Sequence, residues 1–197
     1  DAILGNAYFR LAYNANRFFD YDRAIENYRI LADSERFVKS THPSMAEWRE
    51  GALINAARIL EYEQQYDRAA QYYKRAYDNS RDPDGSSARD VKYLINVADV
   101  LYQYGQPFQS LQTLQRAYAE KPSRVDVLRT VLDRLWELQQ FGMARPTDME
   151  KFGEALTKAE PNDTLGYASL SVSYNQRINE DPSNEDRARE ALNKARE

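Results

Sequence analysis

The chain has 197 residues, 42% hydrophobic and 29% charged, with a formal net charge of −4, a balance that leaves no basic surplus for phosphates and argues against nucleic acid as a ligand. It contains no cysteine, which excludes disulfides, thiolate catalysis and Cys-based zinc sites and leaves cytoplasm and bacterial periplasm or cell envelope equally open. No apolar run approaches the roughly 18 residues of a membrane span, and no charged start followed by an apolar segment marks a signal peptide.

Apolar residues recur at i, i+3, i+4 and i+7 through nearly every segment, and no alternating Val/Ile/Thr run is long enough for a strand. The periodicity predicts ten helices, at about 2–18, 21–35, 44–63, 66–79, 87–104, 107–119, 124–140, 148–159, 163–179 and 184–196. All seven prolines (Pro43, Pro83, Pro107, Pro122, Pro146, Pro161, Pro182) fall in the junctions, as expected of a residue that is costly inside a helix and tolerated at its first turn. Ser44 with Glu47 and Thr147 with Glu150 have capping-box spacing, and Ser123 and Ser183 suit simple N-caps. Met45, Met143 and Met149 are the only methionines and all are internal, so Asp1 reads as a cut or processed start.

The chain also repeats itself. "LINAARIL" from Leu53 returns as "LINVADVL" from Leu94, and "YDRAIENYRIL" from Tyr21 returns as "YDRAAQYYKRA" from Tyr66. Pairing consecutive helices gives five helix–turn–helix units, at about 2–36, 44–80, 87–121, 124–160 and 163–197, whose second helices are anchored by Ala24, Ala69, Ser110, roughly Asp148 and Ala188. Small residues at Ala12, Ala57 and Ala98 in first helices answer those anchors and let paired backbones approach. On a helical wheel Leu53, Ala56, Ala57 and Leu60 form one stripe, while Asn55, Arg58 and Tyr62 lie opposite; the same projection sets Asn96, Asp99 and Gln103 opposite in the third unit, and Arg10, Tyr13 and Arg17 in the first. Packing accounts for the Leu and Ala of the echoed octad but does not require Asn55 or Asn96. The last helix, "SNEDRAREALNKARE", carries only Ala188, Ala191, Leu192 and Ala195 as apolar residues; it suits a polar cap or a helix awaiting a following repeat.

These residues resemble the tetratricopeptide repeat (TPR) family. Its pattern is large–x2–Leu–small–x2–large in the first helix and Ala–x3–aromatic–x2–Ala in the second, often closed by Pro. The first unit offers Tyr8, Leu11, Ala12, Ala15, Tyr21, Ala24, Tyr28 and Leu31. The second offers Leu53, Ala56, Ala57, Leu60, Tyr66, Ala69, Tyr73 and Ala76, and the third Leu94, Val97, Ala98, Leu101, Gly105, Ser110, Leu114, Ala117 and Pro122. The match thins in the fourth unit (Leu128, Val131, Leu132, Leu135, Phe152, Ala155, Leu156) and the fifth (Tyr167, Leu170, Ser171, Tyr174, Ala188, Leu192, Ala195).

The resemblance implies an all-α, right-handed α-solenoid forming a single domain over 1–197, with the polar side of the first helices lining a concave groove. It also implies a non-catalytic scaffold or adaptor for a protein partner, holding a peptide or helix of that partner in the groove. Asn55 and Asn96 stand where related repeats use Asn to hydrogen-bond an extended peptide backbone; an amide donates and accepts at once. Arg10, Arg58, Lys92 and Arg129 are the cations expected to meet carboxylates there, and Phe9, Ile54 and Ile95 sit at the groove shoulder. The family's C-terminal carboxylate clamp needs Lys and Asn where this chain has Phe9 and Tyr13, which argues against that ligand. The alternative is a structural assembly factor that self-associates within a larger complex, such as a cell-envelope or secretion machine.

Other features have plainer readings. The only histidine, His42, precedes Pro43, so no His-centred triad or His-rich metal site can be assembled, and neither cofactor nor enzyme activity is expected. "DPDGSSARD" from Asp82 fails as a calcium loop, with Gly85 fourth rather than sixth and Tyr93 in place of the closing Glu. Tyr is abundant, at 15 residues, and Tyr72, Tyr73 and Tyr77 suit repeat packing. Trp48 and Trp136 lie off their helices' apolar stripes, consistent with either an exposed contact residue or packing under an extended turn. Asn162 heads an "NDT" glycosylation sequon, relevant only in a secreted eukaryotic protein.

Overall fold

A computed structural model describes residues 1–80 and 89–196; most of the "DPDGSSARD" segment, including Pro83 and Gly85, lies outside them. Among the described residues every regular element is a helix. One compact unit, Asp1–Gln106, holds α1 (Ala2–Arg17), α2 (Tyr21–Asp33), α3 (Glu35–Val38), α4 (Pro43–Tyr62), α5 (Tyr66–Asn79) and α6 (Lys92–Gln103). A second, Pro107–Glu197, holds α7 (Pro107–Glu120), α8 (Val125–Gln139), α9 (Pro146–Ala159), α10 (Thr164–Gln176) and α11 (Asn184–Lys194). The chain has the expected all-α helical repeat fold.

Three boundaries differ from the periodicity. A short α3 follows Ser34, carrying Phe37 into the core. The helix expected from about residue 87, a start that lies outside the described residues, is α6, which runs from Lys92; the Asp90 carboxylate accepts from the Lys92 N–H at 3.0 Å at its start. The two proposed capping boxes do not form, because Pro43 and Pro146 each take the first helical turn. A proline there lacks the N–H that a cap would satisfy and starts the helix early. His42 becomes the cap of α4, its Nδ1 accepting from Ser44 N–H at 3.3 Å, while Glu150 pairs with Arg177 and Arg187 instead. Ser123 and Ser183 make no side-chain cap to α8 or α11.

In the first unit α1 packs on α2, α2 on α4, α4 on α5 and α5 on α6, with α1 also meeting α4. Ala12, Ala24, Ala56, Ala57, Ala69 and Ala76 are completely buried, as are Tyr28 and Leu60. A methyl is all that fits between backbones at these positions, and the long Tyr and Leu side chains fill the space between turns. In the second unit α9 and α10 approach so closely that a Cβ on Gly166 would lie 2.8 Å from Thr157 Cγ2, and one on Gly153 3.0 Å from the Gly166 carbonyl oxygen. Trp136 of α8 donates its indole N–H to Ser169 Oγ at 2.9 Å, so this off-stripe tryptophan is a packing residue that ties α8 to α10.

One turn recurs at four places. After α1, α4, α6 and α8 a residue takes a left-handed backbone: Phe19 (φ 61), Gln64 (φ 60), Gly105 (φ 79) and Gly142 (φ 68). The next N–H closes the preceding helix by reaching back five residues, from Asp20 to the Ala15 carbonyl (2.9 Å), Gln65 to Leu60 (2.7 Å), Gln106 to Leu101 (2.9 Å) and Met143 to Leu138 (2.9 Å). This is a Schellman-type stop, which glycine forms without steric cost. Phe19 and Gln64 form it with a Cβ present. Gln64→Gly is therefore expected to stabilise the first unit, by up to about 1 kcal/mol, as read from the urea midpoint at unchanged m-value.

Candidate functional site

The first helices of the first unit are α1, α4 and α6, and their polar sides line two adjoining recesses. The larger, of about 470 Å³, lies between α4 and α6 and is lined by Gly51, Ile54, Asn55, Arg58, Lys92, Tyr93 and Asn96. Four of the residues singled out from the sequence thus come together: Asn55, Arg58, Lys92 and Asn96. The recess is framed along the α4–α6 seam by two bridges. Tyr93 donates its hydroxyl to Glu50 at one end, and Gln103 donates to Glu61 Oε1 at 3.2 Å at the other. Each bridge joins residues about one echo length apart in the sequence, so the register that repeats the octad also places Asn55 beside Asn96.

The second recess, of about 340 Å³, lies between α1 and α4 and is lined by Asn6, Phe9, Arg10, Tyr13 and Trp48. Arg10 and Tyr13 are thereby placed in it. Trp48 also belongs to it: the ring rests against α1, where Gly5 leaves room (a Cβ there would be 3.2 Å from Trp48 Cε3), and stacks on His42 with centroids 5.9 Å apart. The signal for Trp48 was its position off the apolar stripe, which it shared with Trp136; only the three-dimensional neighbours separate the two. Phe9 walls the second recess and would touch a Cβ added at Gly51, which lines the first, at 3.3 Å, so the two are adjacent.

The remaining expected residues fall outside these recesses. Arg17 is exposed in the last turn of α1. Tyr62 is exposed at the end of α4, edge-on to Tyr21 at 5.6 Å. Asp99 is half-buried one turn beyond Asn96. Arg129 belongs to α8 in the second unit and is already engaged, with Asp163 at 2.7 Å and Glu160 at 3.1 Å. By contrast Arg10 and Arg58 form no ion pair among the described residues. Lys92 lies 2.8 Å from the buried Asp90 carboxylate. Burial pulls its pKa down, but Asp90 and the Tyr93 hydroxyl outweigh that and hold it raised, so the ammonium stays charged.

Behind the recesses stands a row of buried phenols. Tyr28 is fully buried and its hydroxyl makes no hydrogen bond of normal geometry, although the Asn55 amide is the polar group beside it. Burial pushes this phenol up to about 12, and burial together with the Glu50 carboxylate does the same for Tyr93. Tyr73, donating to Glu61 at 3.2 Å, is also raised, by burial first and by that carboxylate second.

The chain has a TPR-like helical repeat fold. No family model and no curated protein sequence matches the chain. Among solved structures it is similar to YrrB, described as a TPR protein with an unusual peptide-binding site (18% identity, TM-score 0.56, 95% of this chain and 82% of that one). It is also similar to MamA of AMB-1 (14% identity, TM-score 0.61, 100% and 92%) and MamA of MSR-1 (14%, TM-score 0.56, 98% and 95%). Among the described residues no helix is long and apolar enough to cross a membrane, and no cluster of three or more His, Asp or Glu is placed to hold a metal.

The raised phenols carry a pH prediction. In the unfolded chain tyrosine ionises near pH 10, whereas in the folded chain Tyr28 and Tyr93 do so near 12. The folded state holds its protons longer, so their contribution is complete below pH 10 and is lost as pH rises from 10 to 12, by up to about 1.4 kcal/mol per pH unit for each phenol. Denaturant titrations at stepped pH should show a flat stability up to about pH 10 and a steep fall above it. Tyr28→Phe should make that fall shallower.

Proposed function

We propose that this protein is a non-catalytic protein–protein interaction scaffold whose first unit holds an extended peptide segment of a partner along the inner faces of α1, α4 and α6. The single observation that carries the reading is the recess in which Asn55, Asn96, Arg58 and Lys92 meet. Asn55 also faces the buried Tyr28 hydroxyl, and each amide can donate to and accept from a peptide group whatever its side chain. Mounted on packed helices, the amides are ordered before the partner arrives, so docking costs little conformational entropy on the receptor side. The likeness to YrrB supports the reading at the level of fold. The test is selection from a displayed library of unstructured peptides. Wild type is expected to enrich binders whose affinity falls about tenfold or more in an Asn55→Ala, Asn96→Ala double variant with unchanged thermal unfolding. Equal affinity in the double variant would remove the groove.

A second reading, self-association within a larger assembly, is favoured by one specific feature. α1 exposes Ile3 (89%), at the edge of the recess side beside Asn6 and Arg10, Leu11 (48%) and, just past its end, Phe18 (82%). Their spacing of eight and seven residues aligns them in one stripe. If that stripe mediates assembly, sedimentation velocity will show a defined oligomer that Leu11→Asp dissociates; a monomer across the micromolar range would exclude it.

A further inference from the structure

The second recess differs from the first in chemistry. Three aromatic residues, Phe9, Tyr13 and Trp48, make up its walls, and Arg10 and Asn6 supply the polar rim. Tyr13 is 49% exposed although no packing requirement keeps it there, and the Trp48 indole N–H makes no hydrogen bond among the described residues. An aromatic cleft with an unused donor at its wall suits an apolar side chain whose backbone carbonyl accepts from the indole. The first recess suits the opposite. Its Arg58 guanidinium has no ion pair, and Lys92 stands charged across from it on α6. The two amides bind backbone; Lys92 is already paired with Asp90, which leaves Arg58, whose one polar neighbour is the Tyr73 hydroxyl, for a carboxylate.

From this juxtaposition we infer that the partner peptide carries an apolar residue, such as Leu or Phe, separated by two residues from an acidic one. The apolar residue is seated against Trp48 and Tyr13, and the acidic residue against Arg58. The inference rests on the peptide-groove reading and adds the partner's chemistry to it. The spacing comes from the repeat geometry. The recesses lie on the two sides of α4, toward α1 and toward α6, so their centres are separated by about one helix diameter, roughly 10 Å. An extended chain advances about 3.3 Å per residue, which sets the anchor and the acid about three positions apart. Phe9 of the second recess and Gly51 of the first are neighbours, so the recesses adjoin. Charge supports the choice of acid over base. Arg10, Arg17 and Arg58 all lie on this side without ion pairs among the described residues; the carboxylates Glu50 and Glu61 stand at the two ends of the seam, held by Tyr93 and by Tyr73 with Gln103, and Asp99 lies one turn beyond Asn96, so Arg58 is the charge nearest the amides.

The test uses synthetic peptides blocked at both ends and labelled for fluorescence anisotropy, built on a Ser/Gly background in both chain directions. Each carries Leu and Glu one, three or five positions apart, with Glu→Gln and Leu→Ser controls. The separation of three is expected to bind best, and either control to lose about tenfold or more. Arg58→Gln should abolish the difference between the Glu and Gln peptides while keeping the Leu dependence, and Tyr13→Ser should do the converse. Both residues are surface-exposed, so their replacement leaves the core intact. Binding that is lost in the Asn55→Ala, Asn96→Ala variant but indifferent to Leu, Glu and their spacing would overturn this inference and leave the groove standing. No binding of any peptide to wild type would overturn both.

Discussion

The structure of the first unit depends on how closely two helices can approach when only a methyl separates them. Ala12, Ala24, Ala57 and Ala69 have no accessible surface at all. With the backbones that close, the large side chains of each hairpin are driven to the seams between hairpins, where Tyr28, Leu60 and Tyr73 fill the gaps. The opposite side of each first helix is left with no packing duty. Amides and cations can occupy it without disturbing the core, and in this chain they do so at Asn55, Arg58, Lys92 and Asn96. Fold and candidate site are two consequences of one steric pattern.

The same pattern explains the electrostatics. Tyrosines long enough to cross a seam bring their hydroxyls close to its polar side, where Tyr73 and Tyr93 find Glu61 and Glu50. Tyr28 stops short of a bond and stays buried beside Asn55. A buried hydroxyl without a partner costs free energy that a satisfied one does not, so the row of phenols is a place where the core gives up stability next to the recess. The α4–α6 seam is in turn held in register by the carboxylate bridges at its two ends, which keep the two asparagines side by side.

Much of this could be read from the residues. The echoed octads, the prolines in the junctions and the small-residue anchors specify helical hairpins in tandem, and the wheel positions of Asn55 and Asn96 placed them on the side where the recess is found. What stayed hidden depends on contacts between elements distant in sequence. Phe19 and Gln64 give no sign of a left-handed turn, because only Gly105 and Gly142 in the equivalent positions announce one. Trp48 and Trp136 look alike on a wheel and part only where Ser169 accepts from the Trp136 indole, while Trp48 lies against α1 and His42 at the wall of a recess. Arg129 looked like a groove cation until Asp163 and Glu160, more than thirty residues on, were seen to claim it. Capping boxes failed where proline, reading the same sequence by a stronger rule, had already started the helix.

The central claim is that the paired amides of α4 and α6 contact a peptide backbone, and the most direct measurement is of those amides themselves. In a 15N-labelled sample the side-chain NH2 resonances of Asn55 and Asn96, assigned through the single Ala variants, can be followed while a blocked Leu-Ser-Ser-Glu peptide is added. The account predicts that both pairs shift together and saturate at one peptide per chain, with the Trp48 indole N–H shifting alongside them. Saturable binding that leaves both asparagine side chains unmoved and perturbs other surfaces would contradict it.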